Sequence, residues 1–224
     1  GLEINMGEAE NENKGLNLTL SSSEAEILEI KDTAARYNIE IPSISNSLLW
    51  NYPLTHNDKN IREQGQEILK KCLDAAALLE ADSILVVPGL VNEEVSYKKA
   101  YERSLHILKD LKSYAEAKEV NIGIENVWNK FLLSPLEMKR FIEEIDSPRV
   151  GAYFDVGNVL DFSYPEYWIE ILDQKIVKVH VKDFQTQVGN IHGFTHLLQG
   201  DVNWEKVIKA LRKINYDDYL TAEL

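Results

Sequence analysis

Short runs of β-branched and aliphatic residues alternate along the chain with longer stretches in which apolar residues recur every three or four positions. The runs at 2–6, 39–44, 83–87, 121–125, 150–155, 176–182 and 219–224 predict strands. Most are continuously apolar, the pattern of parallel strands covered on both faces. The helical stretches between them carry their own start signals. Ser23 and Glu26 have capping-box spacing, and Ile27, Ile30, Ala34 and Tyr37 continue one apolar face. Residues 61–81 and 97–118 each place a leucine-rich stripe on one side. Ser134-Pro135-Leu136-Glu137 gives cap, N1 proline and N3 glutamate in four residues. Pro165 opens a further helix, and Asn203 caps a last one carrying Val207, Ile208 and Leu211.

Strand–helix alternation without a Gly/Ser linker or a shift in composition predicts one α/β domain over residues 1–224. A dinucleotide-binding fold needs a glycine-rich turn after its first strand. Gly7-Glu8-Ala9-Glu10 does not supply one, and its acids would repel a pyrophosphate. The expectation is a (β/α)8 TIM barrel. Only seven strand runs are counted, so a closed barrel would need its first strand before Gly1 and its last helix after Leu224.

Composition narrows the function classes. The 224 residues include 24 Lys+Arg against 37 Asp+Glu, a formal net charge of −13, and 44% are hydrophobic. That apolar fraction supports a buried core and opposes disorder. No apolar run approaches the roughly 18 residues that span a bilayer, and no signal peptide opens the sequence. A cytoplasmic protein without a membrane partner is therefore expected. The single cysteine, Cys72, has no internal disulfide partner. An acidic chain without a basic cluster is poorly suited to a phosphate backbone, so no nucleic-acid partner is expected.

In a parallel barrel the active site lies at the C-terminal ends of the strands. Four polar residues fall there: Glu125 and Asp155 end their runs, His180 lies near the end of 176–182, and Glu223 closes the last run. A barrel would converge all four on one mouth. Any one alone reads as a cap, a loop acid or a core histidine; the conjunction on successive strands suggests more. Three carboxylates and an imidazole form a hard site for one divalent ion, Mn²⁺, Mg²⁺, Co²⁺ or Zn²⁺. A dication also relieves the repulsion among the acids.

The segments Glu125-Asn126-Val127-Trp128, Phe154-Asp155-Val156-Gly157-Asn158, Val179-His180-Val181-Lys182-Asp183, Gly200-Asp201-Val202-Asn203-Trp204 and Thr221-Ala222-Glu223 occur in this order. Together they resemble the sugar-phosphate isomerase/epimerase group of xylose-isomerase-like TIM barrels. That group includes ketose 3-epimerases, L-ribulose-5-phosphate 3-epimerase and hydroxypyruvate isomerase. The resemblance covers nearly the whole chain. It implies an isomerase acting on a small sugar or sugar phosphate, with Glu125, Asp155, His180 and Glu223 as metal ligands. It further implies that Glu125 and Glu223 form an acid/base pair moving a proton through a metal-stabilised enediolate.

The chain departs from that group in three places. Asn158 stands where many members have histidine, Leu49 falls near a position that often carries another, and His192, Thr195 and His196 occupy a loop where some members have arginine. Expected substrate contacts are Trp128 by stacking, Asn158, Lys182 and His196, with Trp50 and Tyr52 as lid candidates; a Lys182–Asp183 ion pair is the plainer reading of that lysine. His56 and His106 are read as surface residues, Trp168 and Trp204 as packing, and Cys72 as a core hydrophobe. Related barrels form dimers or tetramers, but nothing in the sequence locates a homo-oligomer interface. Two other functions are weighed: a non-catalytic sugar- or partner-binding barrel, and an endonuclease IV-like AP endonuclease, which the histidine count of 5 and the net charge oppose.

Overall fold

The computed structural model describes residues 1–8 and 17–223; Ala9, Glu10 and Leu224 lie outside that set. One sheet of seven parallel strands runs in the order β1 (Ile4–Met6), β2 (Ser43–Asn46), β3 (Ser83–Val86), β4 (Asn121–Glu125), β5 (Val150–Asp155), β6 (Ile176–Val181) and β9 (Leu220–Ala222). A two-residue antiparallel ribbon, β7 (Asp183–Phe184) with β8 (Phe194–Thr195), projects from the loop after β6. The helices are α1 (Glu24–Arg36), α2 (Lys59–Leu79), α3 (Tyr97–Lys118), α4 (Pro135–Ile145), α5 (Pro165–Leu172) and α6 (Trp204–Lys213). No helix among the described residues is long and apolar enough to cross a membrane.

Local chemistry sets the helix starts. Ser23 and Glu26 close the reciprocal capping box of α1. Ser134 accepts from the Glu137 N–H while Pro135 occupies the first turn of α4. Asn203 accepts from Lys206 N and opens α6. The outward faces of the strands pack against these helices: Ile44, Ile84, Ile122, Ile124, Phe154 and Val179 are all fully buried. Phe154 stacks on Trp168, which is also fully buried.

Most strands are trimmed by one or two residues at an end relative to expectation, and the largest departure is at β2. The apolar run 39–44 pairs only from Ser43 onward, because Pro42 has no N–H for a ladder, and pairing then continues into polar Asn46. The β7–β8 ribbon was outside the hydrophobic pattern altogether, since two paired residues carry no period.

The seven strands curl, as side-chain contacts across the interior demonstrate. His180 on β6 reaches Glu3, just before β1, at 2.9 Å, and Ser43 on β2 reaches the Tyr153 hydroxyl on β5 at 3.0 Å. Deeper along the same interior, fully buried Lys178 bridges Asp82 at 2.9 Å and Asp218 at 2.6 Å. The inward face thus carries polar and charged groups, and the outward face carries the apolar core.

Candidate metal centre

Each of the four strand-end residues arrives by its own backbone. Glu125 and Asp155 are the last residues of β4 and β5. His180 is opposite Asp155 in the β5–β6 register. Glu223 follows β9, held by its N–H to the Val181 carbonyl at 3.2 Å. One donor atom from each of Glu125, Asp155, His180 and Glu223 lies within 4.8 Å of every other.

A second set of contacts fixes these side chains. Asn126 uses both ends of its amide on the Asp155 backbone, accepting from its N–H at 2.9 Å and donating to its carbonyl at 2.8 Å. Asn158 donates its backbone N–H to Asp155 Oδ1 at 2.7 Å. Its side-chain amide donates to the Asn126 carbonyl at 2.9 Å and lies 3.5 Å from Glu125 Oε1. Gly157 matters here for a steric reason. A Cβ at that position would stand 2.4 Å from Lys182 Cγ, so only glycine lets the Lys182 chain pass across the cluster. Lys182 Nζ then lies 2.7 Å from Glu223 Oε2 and 3.3 Å from Asp155 Oδ2, above the Phe194 ring.

The electrostatics follow from crowding like charges in a buried place. Burial, and then the charges of Asp155 and Glu223, push Glu125 up to about 8. Burial also raises Asp155, against the pull of Lys182 and His180. Burial disfavours a charged His180, but the adjacent Glu223 and Glu3 carboxylates outweigh it and push the imidazole up to about 10. Contact with His180, joined by Lys182, draws Glu223 down to about 2 although burial opposes this.

Two atoms in the cluster are left over. Asp155 Oδ2 and His180 Nδ1 are buried without a hydrogen-bond partner. Nδ1 lies 3.2 Å from Glu223 Oε2 as an ion-pair contact, and Asp155 Oδ2 faces only Lys182 Nζ, at 3.3 Å. Buried polar atoms are almost always satisfied, and these two belong to a carboxylate and an imidazole of the same four-residue cluster. Three hard carboxylates and one imidazole nitrogen gathered within 4.8 Å of one another form a donor set that fits a divalent cation.

The other expected site residues fall into different positions. Trp128 is half-buried, donates its indole N–H to the Asn158 carbonyl at 2.8 Å, and packs against Phe184 and Phe194. His196 is exposed and, with Lys182, Phe194, Thr195 and Glu223, lines a cleft of about 410 Å³ at the mouth. The Lys182–Asp183 ion pair does not form: Asp183 is spent on Val202 N and the Trp204 indole, while Lys182 turns to Asp155 and Glu223. Trp50 is exposed, and the Tyr52 hydroxyl donates to Glu8 at 2.6 Å. Leu49 is fully buried and offers nothing to the mouth. Three residues that sequence reasoning passed over now stand next to the cluster: Glu3, Asn126 and Phe194.

The sequence profile of xylose isomerase-like TIM barrels matches residues 5–224. The chain belongs to the xylose isomerase-like TIM barrel family. Among curated relatives, this barrel is 25% identical over 207 residues to the uncharacterized protein MJ1311 of Methanocaldococcus jannaschii, covering 88% of the present chain and 67% of that protein. It is 25% identical over 202 residues to L-ribulose-5-phosphate 3-epimerase UlaE of Salmonella typhimurium, covering 88% and 69%. Among solved structures it superposes on a D-tagatose 3-epimerase-like protein with a TM-score of 0.79 at 22% identity, covering 89% of this chain and 76% of that one. An L-ribulose 3-epimerase gives 0.78 at 20% identity, covering 92% and 68%. At those identities the structural likeness speaks for the fold of this xylose isomerase-like barrel.

Proposed function

We propose that the protein is a divalent-metal-dependent epimerase or isomerase of a small ketose or ketose phosphate. The observation that carries this reading is the meeting of Glu125, Asp155, His180 and Glu223 within 4.8 Å, with two of their buried atoms outside any hydrogen bond. Family membership and the epimerase activities named for its relatives supply the substrate class.

Glu125, Asp155, His180 and Glu223 are the residues that would hold the ion. When bound, a divalent cation supplies positive charge against the negative charge that develops on the sugar oxygens as a proton leaves the carbon beside the carbonyl. The chain's own groups do the proton work. Glu125 is buried and Glu223 is half-exposed; one carboxylate takes the proton and the other returns one from the opposite face. Asn158 keeps Glu125 and Asp155 in place, and Phe194 with Trp128 forms an apolar wall against which a sugar ring packs. His196 and Lys182 offer hydrogen bonds to hydroxyl or phosphate oxygens at the cleft mouth.

The test is solvent deuterium incorporation across a panel of ketoses and ketose phosphates, with the protein loaded in turn with Mn²⁺, Mg²⁺, Co²⁺ or Zn²⁺. At least one sugar should gain deuterium beside its carbonyl, a chelator should abolish the exchange, and returning the ion should restore it. Metal-loaded protein that exchanges no proton in any sugar would contradict the proposal.

A further inference from the structure

Glu3 is nine-tenths buried just before β1 and meets the opposite nitrogen of the His180 ring from the one beside Glu223. Its two oxygens are committed differently. Oε1 lies 2.9 Å from His180 Nε2. Oε2 accepts from Ser43 Oγ at 2.6 Å and from the Tyr153 hydroxyl. Ser43 and Tyr153 are themselves 3.0 Å apart, so three strands grip one carboxylate. The Tyr153 ring also meets the His180 ring edge to face at 4.5 Å. Gly123 makes room for it: a Cβ there would stand 2.8 Å from Tyr153 Cδ2.

This arrangement dictates what the imidazole can do. A carboxylate only accepts, so Nε2 must carry the hydrogen. The remaining lone pair of a neutral imidazole is then on Nδ1, the atom beside Glu223 that has no hydrogen-bond partner. Among the described residues, the hydroxyls of Ser43 and Tyr153 bond to the Glu3 carboxylate and to none of Asp155, Glu125 or Glu223.

We infer that Glu3, clamped by Ser43 and Tyr153, is the positioning residue that sets the tautomer and ring angle of His180 and so presents Nδ1 to the ion. The inference rests on the metal site of the proposed function. A charged partner on the distal nitrogen raises the basicity of a ligating imidazole, and loss of such a partner costs 10- to 100-fold in metal affinity in typical sites. A carboxylate whose only task was to tie β1 to β6 would change thermal stability and leave affinity alone.

The experiment titrates Co²⁺ into the wild-type protein and into Glu3→Gln, Tyr153→Phe and Asp218→Asn, following the visible Co²⁺ absorption and, separately, the thermal midpoint. Asp218 pairs with Lys178 elsewhere in the interior and serves as the structural control. Wild type should bind one ion. Glu3→Gln should bind about 10- to 100-fold more weakly with an altered spectrum, Tyr153→Phe should weaken binding several-fold, and Asp218→Asn should match wild type. Equal affinity and an unchanged spectrum in Glu3→Gln would overturn the inference while leaving the metal site standing. If Glu3→Gln does not fold, Tyr153→Phe decides, and wild-type affinity there overturns the inference. A wild-type protein that takes up no Co²⁺ would remove the proposed function, and this inference with it.

Discussion

At Glu125 burial and the neighbouring like charges act in the same direction, and together they make the folded state hold the proton more tightly than the unfolded chain. Its folded pKa, up to about 8, exceeds the ordinary value of 4.5. As pH rises from 4.5 toward 8 the unfolded chain ionises this group while the folded chain still holds the proton, so the carboxyl increasingly penalises folding. Metal-free Glu125→Gln lacks that penalty. Its thermal midpoint should match wild type near pH 4.5 and exceed it progressively up to pH 8, by an amount equivalent to a few kcal/mol at most. A constant gap across that range would show that Glu125 is not held protonated. The same substitution, and Glu223→Gln, should each lower turnover by about 10²- to 10⁴-fold without unfolding the protein; retained turnover in either would contradict the acid/base assignment. All four cluster residues are legible in the sequence because each ends or nearly ends an apolar run. Glu3 is not. An acid at the second residue of the alternating run Leu2-Glu3-Ile4-Asn5-Met6 reads as a solvated edge position, and its partner His180 is 177 residues away.

Elements place these residues, and their junctions are where small changes should tell. The β4 and β5 ends are locked together by the Asn126 amide, which satisfies both backbone groups of Asp155. Asn126→Ala leaves a buried N–H and a buried carbonyl without partners, which should cost on the order of 2–4 kcal/mol in urea unfolding. A loss below about 0.5 kcal/mol would mean that water or a neighbour replaces the amide at no cost. Ser23→Ala removes one half of the α1 capping box and should cost only about 1 kcal/mol. The starts of α1, α4 and α6 were readable because the capping residue, the proline and the N3 glutamate are local signals, whereas α2 starts at Lys59, two residues before the expected 61, capped by Asp58. The start of β2 was not, because a hydrophobic window counts Ile39 and Ile41 equally with Ile44, whereas pairing depends on the missing N–H of Pro42. The Asn126 clamp lies between those extremes: the residue is part of a recognisable segment, but its partner is 29 residues on.

For the whole molecule, the alternation of strand and helix was enough to anticipate a parallel sheet of seven strands in near-sequential order. What alternation cannot reveal is the polar interior, where contacts such as Glu3–His180 and Lys178–Asp218 join residues far apart in the chain. One such interior predicts one cooperative unit. Calorimetric and van't Hoff enthalpies should agree on heating the metal-free protein, and two resolved transitions would contradict a single domain. Because the folded state alone assembles the ligand cluster, a divalent ion at 100 times its dissociation constant should stabilise the protein by about 2.7 kcal/mol. The most direct test is anomalous diffraction from crystals grown with Zn²⁺. The account predicts one peak about 2.0–2.2 Å from donor atoms of Glu125, Asp155, His180 Nδ1 and Glu223; a peak bound through other residues, or none at this cluster, would contradict it.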